Sequence, residues 1–122
     1  MALHYAFKVD KDMLTVTTEG KDESLDERFQ YSRAVIEQAL KHNSKKILCD
    51  ERNLEYAISI PDTYELAEKI SYAVTRVARV AIVCNKEYQE EGKFFETVAS
   101  NRGLVISVTP SYDLAREWLN EK

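Results

Sequence analysis

The chain has 122 residues, a length that suits one folded domain and allows a hydrophobic core without disulfides or metal ions. Apolar residues make up 44% and charged residues 31%, which is typical of a globular chain and not of a disordered or membrane-spanning one. The net charge of −4 disfavours general nucleic-acid binding, and only three glycines are present to build a phosphate-binding loop.

The chain starts without a recognisable targeting segment. Residues 1–5 carry neither a basic start nor a long apolar stretch, so we predict no secretory signal and a cytoplasmic location. The longest strongly apolar run, residues 77–84, is interrupted by Arg79 and is too short for a membrane span.

The cysteines and histidines indicate no metal chemistry. Cys49 and Cys84 each end an apolar stretch, and we interpret both as reduced thiols packed in the core. His4 and His42 are the only histidines and lack the spacing of metal ligands. No metal and no cofactor is therefore predicted.

The first third of the chain predicts a hairpin and a helix. Residues 3–9 and 13–18 are rich in strand-forming side chains on either side of a short polar turn, which predicts an opening hairpin. Ser24 and Glu27 have the spacing of a capping box, and an apolar stripe at helical spacing follows them. We therefore predict a helix over residues 25–42.

Strands and helices alternate through the rest of the chain. Residues 46–50 predict a short buried strand, and Pro61 suits the first turn of a second helix. Strands are predicted over 79–84 and 104–108, with a third helix between them that ends at Gly103. A fourth helix follows Pro110 or Ser111. The buried stripe of the second helix is predicted to consist of Leu66, Ala67, Ile70 and Val74.

This order of elements, β-β-α-β-α-β-α-β-α, implies right-handed crossovers and a mostly parallel sheet. We therefore predict an α/β fold, a single domain over residues 1–122. It has a mostly parallel five-stranded sheet, an N-terminal antiparallel hairpin and four flanking helices.

No motif of catalysis or cofactor binding is present. The sequence lacks GxGxxG, P-loop, HExxH and CxxC patterns, and neither histidine is placed for a catalytic role. Glu37, Glu90 and Glu91 are interpreted as solvated carboxylates. We predict no catalytic residue and do not expect an enzyme.

The carboxyl ends of the strands offer a candidate binding surface, because ligands of open α/β sheets dock there and at helix N-termini. Tyr56, Ile58 and Ile60 place apolar side chains before the second helix, either folded over the core or forming a contact strip for a partner. A hydroxyl at that helix start is either a phosphate acceptor or a simple cap. The candidate ligand- or partner-binding residues are Asp50, Arg52, Tyr56, Ser59 and Thr63.

Several stretches, with the opening hairpin, carry a resemblance to a known family. They are residues 46–52 (KILCDER), 79–83 (RVAIV), 94–99 (FFETVA) with Arg102 and Gly103, and 115–119 (AREWL). Together they cover nearly the whole chain and resemble the STAS-like superfamily of bacterial anti-sigma-factor antagonists. Closer still is its branch of small stand-alone bacterial proteins, described as similar to both STAS and CRAL-TRIO lipid-binding domains.

The resemblance implies strands in nearly sequential order and a non-enzymatic regulatory module. Antagonists of the family are switched by phosphorylation of a serine in an Asp-Ser-x-Gly-like turn after the third strand. Ser59 matches that serine, but Ile58 stands in place of the Asp and Pro61 in place of the Gly. The phosphorylation site is therefore not carried over to this chain.

Three functions remain open. The first is a binding module that takes a protein partner or a small apolar or anionic ligand at the loop from Asp50 through Thr63 and the end of the second helix. The second is a regulator phosphorylated at Ser59 or Thr63. The third is a carrier of lipids or other hydrophobic ligands, which predicts a sizeable apolar cavity beneath the second helix. A free sheet edge at the hairpin also favours a homodimer.

Overall fold

The computed structural model describes residues 3–74 and 78–121, and this part of the chain forms five strands and four α-helices. A short 3-10 turn, Lys86–Tyr88, precedes the third helix. The strands are β1 (Leu3–Asp10), β2 (Met13–Asp22), β3 (Lys46–Tyr56), β4 (Arg79–Cys84) and β5 (Ile106–Thr109). The helices are α1 (Leu25–Lys41), α2 (Ile60–Val74), α3 (Gln89–Ser100) and α4 (Tyr112–Leu119).

The strands lie in the sheet in the order in which they occur in the chain. β1 pairs with β2 in antiparallel orientation, and every other neighbouring pair is parallel. Because parallel crossovers are right-handed, sequential strand order places α1, α2 and α3 on one face of the sheet. The predicted α/β architecture, with its hairpin, five strands and four helices, is confirmed.

Two hydrophobic layers cover the two faces of the sheet. On the first, which we call the three-helix face, Val35 of α1, Ala67 of α2 and Val98 of α3 belong to one buried cluster with side chains of the sheet. On the second, the α4 face, Ala115 and Leu119 pack against β3 and β4. Buried hydrophobic side chains therefore lie on both faces of the sheet.

Several predicted boundaries differ from the observed ones, most of all at β3. The sequence predicts a strand that ends at Asp50, whereas β3 continues to Tyr56 because β2 extends beside it as far as Asp22. The second half of β3 is rich in polar residues, and this is why the sequence pattern did not predict a strand there. The observed loop before α2 is therefore shorter than the predicted one and spans residues 57–59.

β3 contains one extra residue relative to its neighbour. Thr17 pairs with Asp50 and Glu19 with Asn53, so two steps along β2 match three along β3. Side chains alternate between the faces of a regular strand, and the extra residue shifts that alternation by one. As a result Cys49 and Glu51, and then Leu54 and Tyr56, all lie on the three-helix face.

The helix ends follow the predicted signals. Ser24 caps α1 by accepting a hydrogen bond from the backbone N–H of Glu27, and Gly103 has a φ of 94° behind α3, as a left-handed stop requires. The predicted burial of Val74 falls on a side chain outside the described residues. Across residues 3–74 and 78–121, no helix combines the length and apolar character needed to cross a bilayer.

Candidate functional site

A cavity of about 310 Å³ opens on the three-helix face, between the N-terminal turns of α2 and α3 and the second half of β3. It lies at the carboxyl ends of the strands, where ligands of open α/β sheets bind. We call it the rim cavity. Its lining residues are Asp22, Arg28, Glu51, Tyr56, Ile58, Ile60, Thr63, Leu66, Ile82, Glu90, Glu91, Gly92, Phe94, Phe95 and Val108.

The floor of the rim cavity depends on a glycine in α3. A Cβ atom built on Gly92 would lie 2.8 Å from Cγ1 of Val108 and 3.5 Å from Sγ of Cys84. Only a residue without a side chain allows the first turn of α3 to approach β4 and β5 this closely. Gly92 therefore sets the distance between α3 and the sheet beneath the cavity.

One side of the rim cavity is charged and buried. We call Asp22, Arg28 and Glu51 the inner wall; their exposed fractions are 3%, 6% and 1%. Nη1 of Arg28 lies 3.5 Å from Oε2 of Glu51 and 3.6 Å from Oδ2 of Asp22. One guanidinium nitrogen is therefore shared between two carboxylates, and with all three groups ionised the inner wall carries a net charge of −1.

Two tyrosines complete the hydrogen bonding of Glu51. Tyr31 donates to Oε2 at 3.0 Å and Tyr56 donates to Oε1 at 2.6 Å. Thr18 in turn donates to the hydroxyl oxygen of Tyr31 at 2.9 Å. The guanidinium of Arg28 also lies 4.8 Å from the centre of the Tyr31 ring. Glu51 is thus held by groups from α1 and from its own strand.

The inner wall is not fully satisfied. Among the described residues, Oδ1 of Asp22 and Nε of Arg28 are buried and have no hydrogen-bond partner. Buried polar atoms are nearly always paired with protein groups, water or a ligand, because an unpaired one loses the hydration it had in the unfolded chain. An unpaired acceptor and an unpaired donor therefore belong to two residues that line one cavity.

The charges of the inner wall affect the pKa values of its members. Burial raises the pKa of Asp22, an effect that Arg28 opposes and that Glu51 and Glu27 reinforce. Burial acts to lower the pKa of Arg28, but Glu51 and Asp22 more than offset it, so this pKa lies above its usual value. Burial, followed by the charge of Glu51, raises the pKa of Tyr56. Tyr56 therefore remains a neutral hydrogen-bond donor at physiological pH.

The structure separates the residues that the sequence predicts as a site. Tyr56 and Thr63 line the rim cavity. Asp50 and Arg52 instead pair with each other, with Nε to Oδ1 at 2.8 Å and Nη2 to Oδ2 at 2.7 Å. Arg52 also lies 5.2 Å from the ring centre of Tyr112, which is on the α4 face. The hydrogen bond from the Arg52 side chain is the main reason why the pKa of Asp50 is lowered.

Ser59 acts as a helix cap. Its hydroxyl accepts a hydrogen bond from the backbone N–H of Asp62 at 3.2 Å, and its carbonyl oxygen accepts one from the Thr63 hydroxyl at 2.9 Å. Ser59 is exposed and is not among the residues that line the rim cavity. Phosphorylation at Ser59 or Thr63 stays a prediction.

Asp22 and Arg28 are not among the residues predicted from the sequence, although a signal for Arg28 exists. Arg28, Tyr31, Val35 and Ala39 follow one another at helical spacing and form the buried side of α1. An arginine on a buried stripe requires a buried acid nearby, since an unpaired charge in a core is very costly. That reasoning would have pointed to a buried charge cluster, without naming its partners.

A second, smaller cavity of about 50 Å³ lies on the three-helix face between the helices and the sheet. It shares Arg28, Glu51, Ile82 and Phe95 with the rim cavity and is also lined by Cys49. The two cavities are therefore adjacent, and these four side chains contribute to the lining of both. In the described part of the chain, no group of three or more His, Cys, Asp or Glu side chains is arranged to hold a metal ion.

Both cysteine thiols are expected to resist alkylation in the native protein. Cys49 is 6% exposed and Cys84 0%, and burial raises the pKa of each thiol, for Cys49 to about 12. Since the thiolate is the reactive form, iodoacetamide at pH 8 should modify neither residue within an hour but both in denaturant, as measured by mass spectrometry. Rapid native labelling of Cys49 would show instead that the reagent reaches this thiol through the second cavity.

The sequential strand order, the antiparallel hairpin and the placement of the helices define a STAS-like fold. Among solved structures, the chain is similar to an anti-sigma factor antagonist from Mycobacterium paratuberculosis. The identity is 8%, the match covers 98% of this chain and 95% of the other, and the TM-score is 0.69.

A second similar structure is an uncharacterized protein with a SpoIIAA-like fold from Shewanella loihica. Its identity is 17%, the coverage is 97% of this chain and 94% of the other, and the TM-score is 0.56. Both matches support the fold that the sequence resemblance implied. No protein-family model matches the sequence, and no curated protein matches it.

Proposed function

We propose that the protein is a non-catalytic regulatory module that binds a small apolar ligand in the rim cavity. The observation that carries the proposal is the cavity itself, about 310 Å³ of space between α2, α3 and the sheet. Its apolar lining, which includes Leu66, Phe94 and Phe95, suits a hydrophobic ligand, and a few buried polar groups on one side suit its orientation. A solid core beneath α2 would have argued against such a ligand.

Binding is favoured over catalysis by the chemistry of the lining. Its ionisable groups are carboxylates, one guanidinium and one tyrosine, and the most buried of them are engaged with one another. His4 and His42 are exposed and belong to neither cavity. Nucleophilic catalysis would need a nucleophile within hydrogen-bond reach of a base. The ligand is therefore proposed to be held and released unchanged.

A regulatory role would follow if the ligand changes the surface around α2. Ile60 at the cavity mouth is 66% exposed, and Tyr64 in the same turn is 46% exposed and packs edge-on against Phe94 at a ring-centre distance of 5.4 Å. A ligand under these side chains would alter what a protein partner meets there. The protein partner and the homodimer stay predictions.

Binding can be tested with N-phenyl-1-naphthylamine, an uncharged probe whose fluorescence rises in apolar surroundings. We expect a saturable increase with a dissociation constant in the micromolar range, on the order of −8 kcal/mol of binding free energy. Thr63→Phe should weaken binding at least tenfold, because Thr63 lines the cavity and the larger ring would occupy part of it.

The matched control is Glu68→Phe, which adds the same ring to an exposed position of α2. This variant should bind the probe as the unmodified chain does. The proposal is wrong if the folded protein gives no saturable signal, or if Thr63→Phe and Glu68→Phe bind equally well.

A further inference from the structure

We propose that the apolar ligand of the rim cavity carries a positive charge at one end. It is an alkylammonium ion whose chain fills the cavity and whose charged end lies beside Glu90 and Glu91. This inference rests on the proposed function and specifies the charge of the ligand. It is carried by the cavity, by the balance of charge among its lining residues and by the aromatic rings of its lining.

The size and lining of the cavity fit the chain of such an ion. A volume of about 310 Å³ holds about ten groups the size of a water molecule, at about 30 Å³ each, which matches an octyl chain with its head group. Leu66, Ile82 and Val108 are buried side chains of the lining. An alkyl chain that enters the cavity therefore leaves water for apolar surroundings, which favours binding.

The balance of charge among the lining residues favours a cation over an anion. Four of them are acidic, Asp22 and Glu51 on the inner wall and Glu90 and Glu91 on α3, whereas Arg28 is the one basic residue of the described lining. Four negative charges against one positive charge give the lining a net charge of −3 when all five groups are ionised. If Asp22 were neutral, a surplus of two negative charges would remain.

Glu90 and Glu91 are the carboxylates that a ligand can reach. Both residues are exposed, and neither forms an ion pair with any residue in the described part of the chain. The nearest lysine along α3, Lys93, pairs instead with Glu96 at 3.4 Å. The inner wall is buried, so it contributes to the electrostatic potential of the cavity and not to direct contacts. An ammonium group at the mouth therefore finds two carboxylates without a cation.

The helix N-termini at the rim reduce this negative charge without reversing it. The cavity lies between the first turns of α2 and α3, and each helix N-terminus carries about half a positive charge. Two such termini offset about one of the three negative charges, and Asp62 in the first turn of α2 adds another negative charge. A cation therefore meets a favourable potential at the rim and a carboxylate an unfavourable one.

The aromatic rings of the lining favour an organic cation. Tyr56, Phe94 and Phe95 line the cavity. The ring centre of Tyr88 lies 5.9 Å from that of Tyr56, and the ring of Tyr64 packs edge-on against Phe94. The faces of aromatic rings attract ligand cations within about 6 Å, and substituted ammonium groups are typical ligands of aromatic sites. Rings and carboxylates together therefore match an ammonium group that carries an apolar chain.

The test compares octylammonium, 1-octanol and octanoate, which share a chain length and differ in the charge at one end. Each is titrated into the full chain at pH 7 and low salt, and amide shifts of the lining residues are followed by NMR. We expect octylammonium to bind at least tenfold more tightly than octanoate and at least threefold more tightly than 1-octanol. Its advantage over 1-octanol should shrink at about 0.5 M NaCl, because salt screens exposed charges.

The double variant Glu90→Gln with Glu91→Gln removes both reachable charges with little change of shape. It should weaken octylammonium binding at least fivefold and change 1-octanol binding less than twofold. The matched control is Glu37→Gln with Glu117→Gln, which removes two exposed carboxylates that line neither cavity. The control should leave all three affinities unaltered. Because all four positions are exposed, both double variants are expected to fold.

The outcomes separate this inference from the proposed function. If 1-octanol or octanoate binds as tightly as octylammonium, or if the two double variants bind octylammonium equally well, the assignment of a cation is wrong while the binding function stands. If none of the three compounds shifts the lining residues and N-phenyl-1-naphthylamine also fails to bind, the proposed function is wrong and the assignment falls with it. If the probe binds and none of the three does, only the assignment is wrong.

Discussion

Replacing Arg28 with methionine is expected to lower the free energy of unfolding by about 3–5 kcal/mol at neutral pH. The change leaves Asp22 and Glu51, which are 3% and 1% exposed, without the cation that lies between them. Two uncompensated carboxylates in a core are far more costly than the loss of the pair itself. Denaturation in urea measures the effect.

The same variant should recover stability in acid. Burial and Glu51 already raise the pKa of Asp22 above its usual value, and Arg28 is the group that opposes them. Without Arg28 that pKa rises further, so the native state binds the proton more tightly than the unfolded chain does. Stability is therefore gained as pH falls from neutral through the raised pKa, and lost as pH rises through it.

A matched control is available on the same helix. Arg33→Met removes an exposed guanidinium from α1 and should change stability by no more than about 0.5 kcal/mol. Equal effects of Arg28→Met and Arg33→Met would show that the buried charges are solvated in solution. The inner wall would then not exist as described.

Leu119→Ala is expected to cost about 2–5 kcal/mol, because it removes a large side chain from a small, closed layer. Leu119 is 0% exposed and packs on the α4 face with Leu48, Ala81 and Val83 of the sheet. α4 has eight residues, too few to be a stable helix without this packing.

Fluorescence of Trp118, the single tryptophan, reports on this layer, because its partly buried ring packs against the same cluster. The centre of the ring lies 4.4 Å from the guanidinium carbon of Arg79. The control is Leu114→Ala at a position of α4 that is 57% exposed, with an expected change within about 0.5 kcal/mol. A similar loss from both variants would contradict the assigned orientation of α4.

The fold could be predicted because its signals are local. The capping box at Ser24, the alternation of strand and helix patterns and the glycine behind α3 each act within a few residues. Sequential order of parallel strands with right-handed crossovers then leaves few arrangements. The resemblance to STAS-like proteins pointed to the same architecture as the solved structures do.

The site could be predicted only in part because its contacts are long-range. Tyr56 and Thr63 were predicted from their positions near the start of α2 and both line the rim cavity, while their part in ligand binding stays a prediction. The bond between Tyr31 and Glu51 joins residues 20 apart, and the Arg28–Glu51 pair joins residues 23 apart. Nothing in a single sequence pairs one acidic residue among 21 with a particular arginine.

The extra residue in β3 also determines which chemistry the rim cavity contains. With strict alternation after Glu51, Leu54 and Tyr56 would change faces, and their places would pass to neighbours such as Asn53 and Glu55. Deleting Arg52 or Asn53 would remove the extra residue and still leave Leu54 and Tyr56 on the three-helix face, because strict alternation from Glu51 would then be restored. One further inserted residue, paired regularly, would instead turn Tyr56 away from the rim cavity, so a protein of this shape could change its ligand by an insertion in β3 without altering any residue of the helices.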